Sequence, residues 1–198
     1  MVKLLFLPGA GARADFWRPA GDRTLPDRDR HFFSWPGLGD EPHSPDVRGA
    51  DDLVAMVLEE MAEPVDLIAQ SMGGLIAIKV ALAAPERVRR LVLTATSGGL
   101  PVDALGGSDW RTTYRRQFPN AASWITETRE DLSARLDDIR APTLLLWGDK
   151  DLVSPVAIGR RLEQALPDST LRIIPGGDHD MALTHPAELA ESITDHLR

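Results

Sequence analysis

A serine, a histidine and two aspartates occupy positions from which they could carry out acyl transfer together. Ser71 lies in the run Ala69-Gln70-Ser71-Met72-Gly73, where a short apolar stretch meets two glycines and an alanine-rich stretch. A serine hydroxyl is a weak nucleophile at neutral pH and needs a base within hydrogen-bonding reach. A carboxylate must then hold the imidazole of that base in the correct tautomer. His179 is the candidate base, and Asp149 and Asp151 are the candidate carboxylates.

The residues around Ser71 predict a tight turn from a strand into a helix. Ala69 and Gly73 stand two positions before and two after the serine, where a bulky side chain would block the backbone angles of such a turn. The following helix would point its free N–H groups and its positive dipole end toward the hydroxyl. The same pattern also fits an ordinary strand–helix connection with a glycine for close packing, so the motif needs support from the rest of the chain.

His179 differs from the other histidines because it alone follows a predicted strand end in a glycine-rich loop, where its ring can swing over a site. The alternative is a surface histidine in a polar turn. Structural roles are expected for the remaining four, although His43 and His185 are placed where they could border a pocket: His31, His43, His185 and His196.

Composition narrows the classes of partner. The net charge of −8 disfavours nucleic acid and anionic membrane surfaces. The absence of cysteine excludes disulfides, thiolate metal sites and cysteine nucleophiles, and with no clustered His, Asp or Glu ligands we expect neither metal nor cofactor. Residues 8–13 match neither glycine-rich phosphate-binding pattern, which disfavours nucleotide binding. The expected partner is therefore a small molecule, and the oligomeric state stays open.

The N-terminal apolar run is too short for a signal peptide and ends at Pro8-Gly9. No segment approaches the roughly 18 apolar residues of a membrane span. We therefore expect a soluble, cytoplasmic protein.

Short apolar runs alternate with amphipathic stretches, which predicts βα units around a parallel sheet in one domain over residues 1–198. The expected strands cover residues 2–7, 31–35, 65–69, 88–94, 143–147 and 171–174. The expected helices lie near 15–20 and over 48–61, 74–84, 155–166 and 186–197.

Residues 97–138, which we term the lid segment, interrupt this alternation. Glycines and an aromatic- and arginine-rich stretch predict two or three short helices, with a break at Pro119. Trp110 and Tyr114 would share a helix face, and together with Trp124 they are candidates for substrate contact; packing against the main body is the alternative. The arginines of this stretch could attract an anionic acyl group or simply form a solvated face: Arg111, Arg115 and Arg116.

Together these motifs resemble the α/β-hydrolase superfamily over nearly the whole chain. The turn at Ser71 resembles its nucleophile elbow, with Ala69 where glycine is more frequent, and Pro8 stands where the family often has histidine. The other matching stretches resemble the family's oxyanion strand and loop, its P-G-x-G turn, its acid-bearing turn and its histidine loop: residues 4–11, 35–40, 142–151 and 174–179.

The resemblance implies a role for each site residue. Asp151, at the fourth position of G-x-x-D, would be the acid, and Asp149 a turn residue that binds local backbone N–H groups. The order Ser71, Asp151, His179 matches that of the family. The oxyanion hole would consist of the backbone N–H groups of Met72 and Ala10.

The implied fold is a trimmed α/β-hydrolase: six parallel strands flanked by helices, without the two antiparallel strands that usually begin it, and with a short helical lid. The implied activity is that of a serine hydrolase acting on an ester or related acyl bond. Thioesterase, lactonase and C–C hydrolase activities use the same triad, and fold alone does not choose among them. A ligand receptor or interaction module on the same scaffold is the non-catalytic alternative.

Overall fold

A six-stranded sheet with all strands parallel forms the centre of the computed structural model, which describes residues 2–11, 13–101 and 105–198. Its strands are β1 (Leu4–Leu7), β2 (Arg30–Phe32), β3 (Val65–Gln70), β4 (Val88–Thr94), β5 (Thr143–Gly148) and β6 (Ser169–Ile174). They lie side by side in the order β2-β1-β3-β4-β5-β6. The strand order reverses between β1 and β3, and in open parallel sheets ligands bind at such a switch point, outside the carboxyl ends of the strands. The predicted six-stranded parallel sheet is confirmed.

Helices cover both faces of the sheet, which explains why β1, β3 and β5 are buried along their whole length. Leu5 and Leu7 belong to the larger hydrophobic cluster, whereas Leu4 and Phe6 belong to a second cluster on the other face. The helices are α1 (Arg18–Gly21), α2 (Ala50–Glu59), α3 (Met72–Ala83), α4 (Trp110–Gln117), α5 (Trp124–Glu127), α6 (Val156–Ala165), α7 (Met181–Thr184) and α8 (Pro186–Leu197). None of the helices in the described ranges is long and apolar enough to span a bilayer.

The second strand is shorter than the expected 31–35. It ends at Phe32, and the last ladder-type bond runs from the Phe33 N–H to the Phe6 carbonyl (2.9 Å). Trp35 is fully buried, but its indole N–H donates to the Pro8 carbonyl (2.7 Å) and the chain then turns at Pro36. The aromatic run that suggested a longer strand therefore continues into the core as a loop.

The lid segment contains two short α-helices, α4 and α5, followed by a 3-10 helix (Ser133–Asp138). Asp109 caps α4 by accepting a hydrogen bond from the Arg111 N–H (3.2 Å), and Pro119 lies between α4 and α5. Residues 102–104 of the lid segment lie outside the described residues.

Candidate active site

Ser71 occupies a sharp turn between β3 and α3. Its backbone angles are φ 54° and ψ −121°, a region that L-residues rarely adopt and that costs of the order of 1–3 kcal/mol. A Cβ atom at Gly73 would lie 2.5 Å from the Pro8 carbonyl oxygen, so α3 can approach the end of β1 only with glycine there. Ala69 is fully buried beside Leu7 of β1, and its methyl group is accommodated. The backbone around Ser71 thus has the strain and close packing expected from the pattern.

Asp151 and His179 form a direct pair at the ends of β5 and β6. His179 Nδ1 lies 2.8 Å from Asp151 Oδ2, and the Asp151 side chain is fully buried. The other carboxylate oxygen accepts hydrogen bonds from the N–H groups of Val153 and Ser154 (both 2.8 Å). Because a carboxylate only accepts, Nδ1 carries the proton of the neutral imidazole and Nε2 remains free to act as a base.

Asp149 has a different partner from Asp151. Its exposed carboxylate accepts a hydrogen bond from the Gly176 N–H (2.8 Å), which joins the turn after β5 to the loop after β6. The two loops also touch through glycine backbone, because a Cβ at Gly148 would collide with the Gly177 carbonyl. Asp149 therefore binds nearby backbone, and its contact brings the loop of His179 close to Asp151.

A cavity of about 670 Å³ opens above the carboxyl ends of the central strands and brings several predicted residues together. Ser71, His179 and Ala10 line it, and so do Trp110 and Tyr114 from α4. Met72 lies directly behind Ser71 as the first residue of α3, although its side chain does not line the cavity.

Trp124 does not line this cavity. From α5 its partly buried ring packs against the larger hydrophobic cluster. Trp124 thus follows the second of the two expectations for the aromatic residues of the lid segment, which was packing against the main body.

Among the described residues, no three His, Asp or Glu side chains are grouped so that they could hold a metal ion.

Gln70 is a site residue that the sequence patterns did not single out. Its buried side-chain amide donates to the His179 carbonyl (3.2 Å), and its amide oxygen lies against Gly9. It therefore links the loop after β1 to the loop that carries His179. The available signal was a polar side chain at the end of an apolar run that leads into Ser71, since a buried amide requires partners.

Two titratable groups of the cavity wall have shifted pKa values. Burial raises the pKa of Tyr114, although the hydrogen bond from the Gly39 N–H opposes the shift. Partial desolvation at the cavity wall raises the pKa of Asp180, while the neighbouring His179 lowers it. The phenol of Tyr114 consequently stays protonated over the neutral range.

Known proteins share this architecture along nearly the whole chain. A model of the alpha/beta hydrolase family matches residues 4–192. The pimeloyl-acyl-carrier-protein methyl ester esterase of Photobacterium profundum is 24% identical over 242 aligned residues, covering 98% of this chain and 94% of its own.

Solved structures agree with this match at the level of the fold. A thermophilic esterase from Thermogutta terrifontis superposes with a TM-score of 0.76 at 20% identity, covering 100% of this chain and 90% of that chain. A hydrolase from Pseudomonas aeruginosa PA01 reaches a TM-score of 0.79 at 19% identity, covering 99% and 89%. The parallel sheet, the strained serine turn and these matches define an α/β-hydrolase fold, and the chain belongs to the alpha/beta hydrolase family.

Proposed function

We propose that the protein hydrolyses carboxylic esters through an acyl-enzyme intermediate on Ser71. The observation that carries this proposal is that His179, held by a buried Asp151, lines the same cavity as Ser71 in its strained turn. Ser71 Oγ attacks the ester carbonyl while His179 Nε2 takes its proton. The imidazolium then donates that proton to the departing alcohol, and water attacks the acyl-enzyme by the same route.

The negative oxygen of the tetrahedral intermediate needs preorganised donors. We assign these to the backbone N–H groups of Met72 and Ala10. Met72 begins α3, where the first N–H groups of a helix have no intrahelical acceptor. The loop that carries Ala10 passes next to the nucleophile, since a Cβ at Gly9 would lie 3.0 Å from Ser71 Cβ. Removing one such donor typically costs about a hundredfold or more in turnover.

The apolar part of the cavity wall favours an apolar acyl group of moderate size. The wall is mixed, with charged and polar side chains such as Arg13 and Asp40 beside a set of apolar ones: Phe16, Trp110, Phe118, Val153 and Leu183. The relative from Photobacterium profundum is named for cleavage of a methyl ester, which favours an ester over a thioester, lactone or carbon–carbon bond.

A substrate panel with a matched variant tests the proposal. Aryl and methyl esters of increasing chain length, thioesters and lactones are assayed with the wild-type protein and with Ser71→Ala, and both are treated with a fluorophosphonate probe. We expect ester hydrolysis and covalent labelling in the wild type and loss of both in Ser71→Ala. A folded wild-type protein that neither hydrolyses nor labels would indicate a receptor or interaction module, and a clear preference for thioesters or lactones would revise the bond cleaved.

A further inference from the structure

The loop after β1 is held by aromatic side chains through its carbonyl groups. We call residues 8–11 the oxyanion loop, because Ala10 is its assigned donor. An indole or phenol donates to each of three carbonyls in and just before this loop: Trp17 Nε1 to Leu7 (3.0 Å), Trp35 Nε1 to Pro8 (2.7 Å) and Tyr114 Oη to Ala10 (3.0 Å).

Tyr114 differs from the two tryptophans because it comes from the lid segment. Its hydroxyl donates to the Ala10 carbonyl and accepts from the Gly39 N–H (2.8 Å), so both functions of the phenol are used. Gly39 also packs against the oxyanion loop, since a Cβ there would lie 3.2 Å from the Gly11 carbonyl oxygen. One buried hydroxyl therefore joins α4, the oxyanion loop and the turn at Gly39.

The oxyanion loop needs such a restraint. Gly9 and Gly11 flank Ala10, and glycine allows backbone angles that other residues cannot adopt. The Ala10 N–H contributes to catalysis only if it points in advance at the developing negative charge. The Tyr114 bond fixes the peptide group between Ala10 and Gly11, and it limits the neighbouring peptide group that carries the Ala10 N–H through the Cα atom that the two share.

We propose that Tyr114 is a positioning residue that sets the geometry of the oxyanion loop, so that helix α4 of the lid segment forms part of the catalytic apparatus. The inference rests on the proposed ester hydrolysis. It assigns Tyr114 a task distinct from substrate contact, because the task belongs to the hydroxyl rather than to the ring.

Tyr114→Phe, which removes the hydroxyl and keeps the ring, tests this assignment. Thr126→Val is the matched control, since Thr126 is also buried in the lid segment but its hydroxyl, within the described part of the chain, hydrogen-bonds to Arg115 and Ser123 of the same segment. We expect Tyr114→Phe to lower kcat about 10- to 100-fold with KM within about twofold. A misdirected N–H group still stabilises the negative oxygen in part, so the loss should be smaller than for a deleted donor. Thr126→Val should leave kcat within about twofold.

A tetrahedral inhibitor separates positioning from a general loss of structure. Phenylboronic acid forms an anionic adduct with the serine and places an oxygen in the oxyanion hole. Its inhibition constant should therefore weaken in Tyr114→Phe by about the same factor as kcat/KM, while circular dichroism matches the wild type. Equal kcat and boronate affinity in Tyr114→Phe and wild type, or equal losses in Tyr114→Phe and Thr126→Val, would overturn the inference.

The Ser71→Ala control keeps the two hypotheses apart. Activity that depends on Ser71 but does not respond to Tyr114→Phe overturns the positioning role alone. A wild-type protein with no Ser71-dependent turnover or labelling overturns both.

Discussion

Two carboxylates with fully buried side chains lie at opposite ends of the strands of the sheet, and they have different hydrogen-bond partners. Asp151 follows β5 at the carboxyl edge, and three N–H groups occupy its two oxygens. Asp66 lies near the amino end of β3, where one oxygen is shared by Arg28 (2.9 Å) and Arg89 (2.5 Å). The other Asp66 oxygen has no hydrogen-bond partner in the described part of the chain.

The side chains of Asp66 and Asp151 are equally buried, and it is their hydrogen-bond partners that distinguish their roles. Both arginines at Asp66 also donate to the carbonyl of Leu197, the last residue of α8, so this cluster attaches the C-terminal helix to the sheet. The carboxylate of Asp151 instead accepts from an imidazole that lines the cavity. The buried acid near the amino end of β3 therefore belongs to a cluster that joins α8 to the sheet, and the proposed role of the other is to orient a base.

The largest expected effect comes from Asp151→Asn. An amide keeps the size of the side chain but no longer favours the Nδ1–H tautomer or the imidazolium, so we expect kcat to fall by about 10⁴ with little change in Tm. Steady-state ester hydrolysis and thermal unfolding measure the two quantities. Asp149→Asn is the control and should cost far less activity; the reverse order of effects would show that Asp149 is the acid.

Asp66→Ala should lower the stability and leave kcat nearly unchanged, the reverse of the effects expected for Asp151→Asn. Removing the acid leaves Arg28 and Arg89 without their carboxylate, and breaking a buried ion pair costs about 3–5 kcal/mol of unfolding free energy. We expect urea denaturation to show that loss while kcat of the folded protein stays within about twofold. A variant with wild-type stability and greatly reduced turnover would place Asp66 in the catalytic apparatus.

The pH dependence of stability sharpens the description of Asp66. Burial raises its pKa more than Arg89 and Arg28 lower it, so the folded state favours the protonated acid. The stability contributed by protonating Asp66 is therefore complete below its unfolded pKa of about 3.9 and is lost as the pH rises through its folded pKa. As the pH rises from about 3.9 through the folded pKa of Asp66, the unfolding free energy of the wild type should therefore fall relative to that of Asp66→Asn. A gain would mean that the two arginines outweigh burial.

A smaller effect is expected within the lid segment, where one tryptophan lies at the cavity and another packs in the core. Trp110 lines the cavity, whereas Trp124 packs on the hydrophobic cluster. Trp110→Ala should change the ratio of kcat/KM between short and long acyl esters by several-fold, and Trp124→Ala should lower Tm instead. If Trp124→Ala changes the chain-length preference more than Trp110→Ala does, the assignment of these two rings to cavity and core is wrong.

Strand positions could largely be predicted from the sequence. Strand β4 has the expected bounds, and β3 and β5 each extend one residue further. Burial on both faces gives each of these central strands a largely apolar stretch that the sequence reveals. Strand β6 begins at Ser169, two residues before the apolar run, since this edge strand is largely exposed and tolerates polar residues. Hydrophobicity therefore locates central strands better than edge strands.

The backbone of the serine turn follows from the local sequence. Small residues two positions on either side of Ser71 are a local requirement, and the structure shows its physical cause in the close approach of Gly73 to the end of β1. The alternating strands and helices likewise placed the loops of Ser71, Asp151 and His179 at one edge of the sheet, because successive parallel strands end on the same side.

The pairing of polar atoms, by contrast, depends on how distant segments pack against one another. Asp149 and Asp151 are two residues apart, yet one carboxylate meets a backbone N–H and the other meets His179. The contact of Tyr114 with Ala10 joins residues 104 positions apart. Hydrogen bonds depend on distance and direction within a few tenths of an ångström, and that geometry arises only when the loops and the lid segment pack together.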